Sequence, residues 1–209
     1  LTTGFVGGRN GILINEHLKK EKINSDFVFT GSNTRVCTTL VNLKKRTTTE
    51  LIEPSGKITR QEAKKFSRKL NHLIKKAKII TMSGTLSPGL PPNAYYNIIK
   101  MANKNKVMSL ADIQGEPCLK AIKAKPFLIK MNLEEFKKTF KTNNIRKKMS
   151  ELAKSGIKWI IITMGKQGCI VSYGNKFYKA IPPEIKPVNS TGSGDAMLSG
   201  FCYAIRKKY

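Results

Sequence analysis

Residues 144–165, NIRKKMSELAKSGIKWIIITMG, join a lysine-rich helical pattern that ends on a glycine to a run in which Trp159, Ile160, Ile161 and Ile162 follow without a polar break. A strand with one face in water alternates polar and apolar residues. An unbroken apolar run instead predicts a strand covered on both faces, as in a parallel sheet flanked by helices.

The same pairing recurs upstream. Residues 61–77, QEAKKFSRKLNHLIKKA, place Ala63, Phe66, Leu70, Leu73, Ile74 and Ala77 on one helical stripe with lysines opposite, and the apolar IITMSG follows. PPNAYYNIIKMANKN then predicts a helix before the strand KVMSLAD, EPCLKAIKA a helix before PFLIK, and NLEEFKKTF a further helix. The alternation from about residue 61 to 165 predicts an α/β fold with a mostly parallel central sheet. Ligands of such sheets lie beyond the carboxyl ends of the strands. Those ends carry SGTLSPG, ADIQG, KMN and TMGKQG. Residues 27–53, rich in Thr and Val with turns at GSN and KKR, predict strands without helices, for which a small β flap or lid is one explanation. GCIVSYGNKFYKA predicts a hairpin turning at YGNK, which leads through a proline-rich connection into residues 189–201.

The chain has 209 residues, so one large domain spanning 1–209, with room for a small appendage, is expected rather than two full domains. Both ends are abrupt, so the chain is expected to be truncated at each. Its 39 Lys and Arg against 13 Asp and Glu give a net charge of +26, which suits nucleic acid, an anionic membrane or a phosphorylated small molecule. The basic residues are spread over predicted helix faces, with short clusters such as Lys44, Lys45 and Arg46 between, as solvated faces are. A single Trp and the lack of an aromatic-rich basic strand argue against a reader of RNA. A basic nucleic-acid-binding module is kept as the alternative of another class. No apolar run approaches about 18 residues, so no membrane span is expected, and cytoplasm is the expected location. Cys37, Cys118, Cys169 and Cys202 form no metal-ligand spacing and are expected as reduced, mostly buried thiols. His17 and His72 are expected at the surface.

Residues 189–201, NSTGSGDAMLSGF, run from an extended, proline-containing segment into a helical pattern. A glycine-rich turn at a helix start exposes unpaired backbone N–H groups at the positive end of the helix dipole. Gly192 and Gly194 would let a phosphate approach the backbone, and Asp195 could accept a proton from a hydroxyl. The other reading is structural: Ser193 or Asp195 caps the helix and the glycines make the turn. Spacing alone leaves both open.

The order of Asn189, Thr191, Gly192, Ser193, Gly194, Asp195, Gly200 and Phe201 resembles the C-terminal signature of the ribokinase-like, or PfkB, family of carbohydrate kinases. SGTLSPGLP resembles that family's S-G-S-L-P-P-G-x-P, LIKMNLEEF its K-P-N-x-x-E and ITMGKQG its S-L-G-x-x-G, in family order. GFVGGRNG, GSNTRVCTTLV and LKAIKAKPFLIK are similar to the branch containing 1-phosphofructokinase, tagatose-6-phosphate kinase and the minor 6-phosphofructokinase.

The resemblance implies a ribokinase-like three-layer α/β/α fold with a small β lid, and transfer of the γ-phosphoryl of ATP, with Mg²⁺, to a ketohexose monophosphate. Fructose 1-phosphate is the first choice of substrate, with fructose 6-phosphate and tagatose 6-phosphate open. A kinase of an unphosphorylated sugar or nucleoside is the nearer alternative. Asp195 would be the general base, and the amides of Gly192, Ser193 and Gly194 the anion hole. Thr191, Lys130, Asn132, Thr163, Gly165 and Gly168 would bind the nucleotide, with Asn132 and Glu135 towards Mg²⁺.

Each of these has a plainer reading. Glu135 is also placed to cap a helix, Lys130 is one lysine among many, and Gly165 and Gly168 suit a strand-to-hairpin turn. Arg35, placed on a lid strand, would grip the phosphate that the substrate already carries; otherwise it is a solvated strand arginine. Ser83, Gly84 and Thr85 would line the sugar, although Pro88 and Gly89 alone would force that turn. Met131 and Ser87 stand where the family has proline. The family's first strand, with a sugar-binding aspartate, and its G-G-K-G-x-N element have no counterpart in this sequence, so part of the sugar site is expected to be missing and the chain impaired. Pairing into a homodimer through the lid is expected of the resemblance.

Overall fold

A computed structural model describes residues 1–42, 44–45, 47–174, 176–185 and 191–207. Two compact units emerge, Leu1–Leu73 with Ser87–Leu90 and Ile74–Leu86 with Pro91–Tyr209.

In the first unit, β1 (Phe5–Gly7) leads through α1 (Gly8–Lys20) to β2 (Val28–Thr30), which lies parallel to β1 with Val6 opposite Phe29. β3 (Cys37–Asn42) and β4 (Thr47–Ile52) form an antiparallel hairpin, and α2 (Arg60–Ile74) follows. The strands expected in residues 27–53 therefore divide. Residues 28–30 pair with β1, and β3 and β4 alone make the hairpin. Hairpin side chains are almost all exposed, including Leu40, Val41, Leu51 and Ile52. Cys37 is exposed in β3, against the expectation of mostly buried thiols, whereas Cys118 and Cys169 are buried. His17 and His72 are exposed. Arg46 of the predicted KKR turn and Asn175 of the YGNK turn lie outside the described residues.

The second unit is built on β5 (Ile79–Ser83), α3 (Ala94–Lys104), β6 (Met108–Asp112), α4 (Gly115–Ala121), β7 (Leu128–Asn132), α5 (Leu133–Phe140), α6 (Ile145–Lys154), β8 (Trp159–Thr163), β9 (Cys169–Tyr173), β10 (Lys176–Ala180) and α7 (Ser193–Lys207). Its sheet runs β10-β9-β8-β7-β6-β5, with β5 to β8 parallel and the β9–β10 hairpin antiparallel at one edge. The predicted helix over EPCLKAIKA tightens after Ala121 into a 3₁₀ turn.

Period-two alternation assigns the strand residues to two cores. Ile129, Met131, Ile160 and Ile162 point to one face, where Ile99, Cys118, Phe136, Met149 and Leu152 from α3 to α6 cover them. Leu110, Leu128 and Ile161 point to the other face, where Leu198, Met197, Phe201 and Ile205 of α7 lie. Helices, sheet and helix thus form three layers. Ile160, Ile161 and Ile162 are each 0% exposed, so the unbroken run of the sequence is the physical trace of burial on both faces. Cutting one of them to alanine should cost about 2–5 kcal/mol.

Among the described residues no helix is long and apolar enough to cross a membrane. Burial raises the Cys118 thiol to about 12, which leaves it unreactive.

Candidate active site

Within the second unit, parallel register carries polar residues to one edge. Ser83 stands opposite Asp112, Asp112 opposite Lys130, and Asn132 opposite Thr163. Counting in twos from Leu110, Leu128 and Ile161 puts Asp112, Lys130, Asn132 and Thr163 on the α7 face, at or near the strands' carboxyl ends. The apolar residues of that face lie deeper. α7 runs against the strands, since Gly194 in its first turn lies beside Lys130 while Phe201, two turns on, meets the ring of Trp159 at the amino end of β8.

The start of α7 is shaped by glycine. Gly192 adopts φ +80°, a left-handed conformation costly for any residue with a Cβ. Its carbonyl accepts from Ala196 N at 2.9 Å, closing the first helical turn. At Gly194 the constraint is space: a Cβ would lie 2.6 Å from Lys130 Nζ and 4.0 Å from Asp112 Oδ2. Ser193 and Asp195 are exposed in the same turn, where the carboxylate of Asp195 complements the positive end of the helix. Thr191 precedes the turn and is exposed. Asn189 and Ser190 of the sequence motif lie outside the described residues.

Lys130 is not one solvated lysine among many. It is 6% exposed and donates to Asp112 Oδ2 at 2.5 Å. Parallel pairing holds both residues side by side, and α7 closes over them. Asp112 is the residue that reading the sequence missed. ADIQG reads as a strand end, but its tie to a lysine 18 residues on exists only in the register of β6 and β7.

Asn132 and Glu135 cap α5 reciprocally. Asn132 Oδ1 accepts from Glu135 N at 2.8 Å, and Glu135 Oε2 accepts from Asn132 N at 2.9 Å. The capping role of Glu135 is therefore real, yet it occupies one carboxylate oxygen; Oε1 bonds to none of the described residues. Among the described residues no cluster of three or more His, Cys, Asp or Glu would hold a metal by itself. The donors present suit Mg²⁺, which keeps several waters and takes only one or two protein oxygens beside those of phosphates.

TMGKQG folds as a tight turn. Met164 N donates to Gly168 O at 2.8 Å and Gly168 N to Gly165 O at 3.0 Å. Gly168, at φ +85°, packs directly on the Ala180 carbonyl, so its glycine is explained by structure; Thr163 lies on the α7 face. Ser83, the last residue of β5, and Gly84 and Thr85 just beyond it are exposed, with Gly84 at φ +95° and its carbonyl accepting from the buried Tyr95 hydroxyl at 3.0 Å.

In the first unit Arg35 is half-buried and lies in the irregular segment before β3, not on a lid strand as expected. It directly follows a polar knot. Gly7 N donates to Thr34 Oγ1, Thr34 N to Gly7 O and Asn10 Nδ2 to Thr34 O, each at 2.9 Å. The paired glycines of GFVGGRNG make room for it, with Gly8 at φ +61°.

This chain belongs to the pfkB family of carbohydrate kinases, whose family model matches residues 2–209. A tagatose-6-phosphate kinase of Staphylococcus epidermidis is 30% identical over 208 residues, an alignment covering 96% of this chain and 66% of the relative. The chain thus spans just under two thirds of that relative's length. Phosphofructokinase-2 from Escherichia coli, in its tetrameric inhibited form, superposes with a TM-score of 0.87 at 21% identity over 99% of this chain and 70% of its own. Ribokinase from Thermotoga maritima does so with a TM-score of 0.75 at 16% identity over 97% of this chain and 66% of its own. The fold is ribokinase-like.

Proposed function

We propose that the protein is an ATP-dependent sugar-phosphate kinase, transferring the γ-phosphoryl of ATP to a hydroxyl of a ketohexose monophosphate. The observation that carries this is the meeting of the α7 turn with Asp195 and the buried Lys130 at the carboxyl edge of a parallel sheet. Phosphoryl transfer asks little covalent chemistry of a protein and much positioning and charge stabilisation.

The amides of Gly192, Ser193 and Gly194 hold the equatorial oxygens of the transferring group. Asp195 takes the proton of the attacking hydroxyl, and its exposed carboxylate is open to a substrate. Lys130 adds a fixed positive charge. Asn132 and Glu135 would hold Mg²⁺, which when bound would neutralise phosphate charge. Thr191, Thr163 and Gly165 take the nucleotide side, Ser83, Gly84 and Thr85 the sugar side. Arg35 grips the phosphate already on the substrate, a fork of donors for a dianion.

The relative named a tagatose-6-phosphate kinase puts that ketose beside fructose 1-phosphate at the head of the substrate panel. The exposed β3–β4 hairpin, with Leu40, Val41, Leu51 and Ile52, is the surface through which two copies would pair.

The test is ADP release by the full-length protein over fructose 1-phosphate, fructose 6-phosphate, tagatose 6-phosphate, their unphosphorylated sugars and a nucleoside. Turnover of a ketohexose phosphate and its loss by about 10³-fold in Asp195→Asn, with ATP binding kept, are expected. Unchanged turnover in that variant would sink the base assignment, and a preference for unphosphorylated sugar would remove the role given to Arg35.

A further inference from the structure

Lys130 is the one charged residue in the buried class among the described residues. A buried ammonium needs its charge opposed and its three N–H donors accepted. Asp112 opposes the charge and accepts one donor at 2.5 Å; the other two find no acceptor among the described residues. The ammonium also occupies the space beside Gly194, in the first turn of α7, that a Cβ there would need. That is the positive end of a helix, so lysine and helix start repel each other. A chain gains no stability from placing them together. Two positive groups with spare donors, held at one point by a carboxylate behind them, are complementary to a multiply charged oxyanion in front.

We propose that Asp112 is a positioning residue that fixes Lys130 under Gly194, so that the terminal phosphoryl of ATP meets an ammonium already in place. This rests on the kinase reading above and deepens it. Asp112 is suited to the task by register. It is the Cα partner of Lys130, on the same sheet face, and the last residue of its strand. Its backbone is anchored too, the carbonyl accepting from Gly84 N at 3.3 Å. Glycine at 194 follows from the same arrangement, because a methyl there would push the ammonium off its seat.

The test compares Asp112→Asn, Lys130→Met, the double variant and Asp112→Glu with the parent, all as full-length protein. Calorimetric titration with ATP and with ADP reads the terminal phosphate directly. Asp112→Asn and Lys130→Met should each weaken ATP about 10-fold and ADP less than threefold. Turnover should fall about 100-fold in each, the scale of losing one preorganised donor, with KM for the sugar phosphate within threefold. Asp112→Glu should recover turnover to within fivefold of the parent.

Asp112→Asn on top of Lys130→Met should change ATP affinity and turnover less than twofold, since the carboxylate acts only through the lysine. A further 10-fold loss in the double variant, or an Asp112→Asn protein that keeps the parent's ATP-to-ADP preference, would overturn the proposal. If Asp112→Asn fails to fold, the double variant decides, because a neutral pair is tolerated where a lone buried charge is not. An inactive parent would count against the kinase reading alone; the ATP and ADP titrations would still decide the role of Asp112.

Discussion

Helices α2 and α5 begin with the same reciprocal cap, yet the two glutamates end in different conditions. At α2, Glu62 Oε2 accepts from Thr59 N at 2.7 Å and Thr59 Oγ1 at 2.8 Å, and Oε1 accepts from Gly31 N at 2.8 Å. Both oxygens are engaged within the first unit. At α5, Glu135 spends Oε2 on Asn132 N and keeps Oε1, in the second unit, at the carboxyl edge of the sheet. A capping motif alone thus says nothing of chemistry. On the proposed reading, what separates the structural carboxylate from the one given a role at the site is an oxygen left over after the helix is capped, and a strand end for it to sit on.

The largest effect that would break or sharpen this contrast is on turnover. Glu135→Gln keeps an acceptor for the cap but loses charge, and turnover at fixed Mg²⁺ should fall about 100-fold, with the requirement for Mg²⁺ displaced to higher concentration. Glu62→Gln should stay within twofold of the parent. Equal turnover in both variants, measured by ADP release, would erase the distinction. Next in size is stability. Thr59→Ala and Asn132→Ala should each cost about 1 kcal/mol in urea unfolding, because each removes one cap of the same kind.

The smallest effect is on acid stability. The backbone N–H of Thr59, then that of Gly31, then the Thr59 hydroxyl hold the Glu62 carboxyl below its ordinary 4.5. A depressed folded-state pKa contributes stability above the unfolded value that is lost as pH falls through the folded one. The melting temperatures of parent and Glu62→Gln should therefore differ at neutral pH and converge below pH 4.5. A gap that persists in acid would assign the difference to packing.

Legibility in the sequence followed the range of the interactions. The buried strands announced themselves because burial on both faces leaves a run such as Trp159 to Ile162 with no polar residue. Asn132 and Glu135 were visible as a pair because a cap joins residues three apart, although spacing could not say that one oxygen stays unused. Thr59 and Glu62 carry the same signal, three residues apart. Val28 to Thr30 joined β1 because a parallel partner leaves no turn to read, and Arg35 fell short of β3 by two residues. Asp112 was hidden more deeply. Its meaning comes from a lateral neighbour in the sheet and from a glycine some eighty residues away, neither of which has any local trace.

The direction of α7 has a thermodynamic corollary. Among the described residues of the second unit it is the helix that shields the Leu110, Leu128 and Ile161 face, and its first turn is the place where an anion would sit. On the kinase reading proposed above, grip on a nucleotide at one end and exclusion of water from the sheet at the other would be a single linked equilibrium. Ligand free energy of RT ln(1 + [L]/Kd) would then reach the strands beneath the helix and slow their amide exchange.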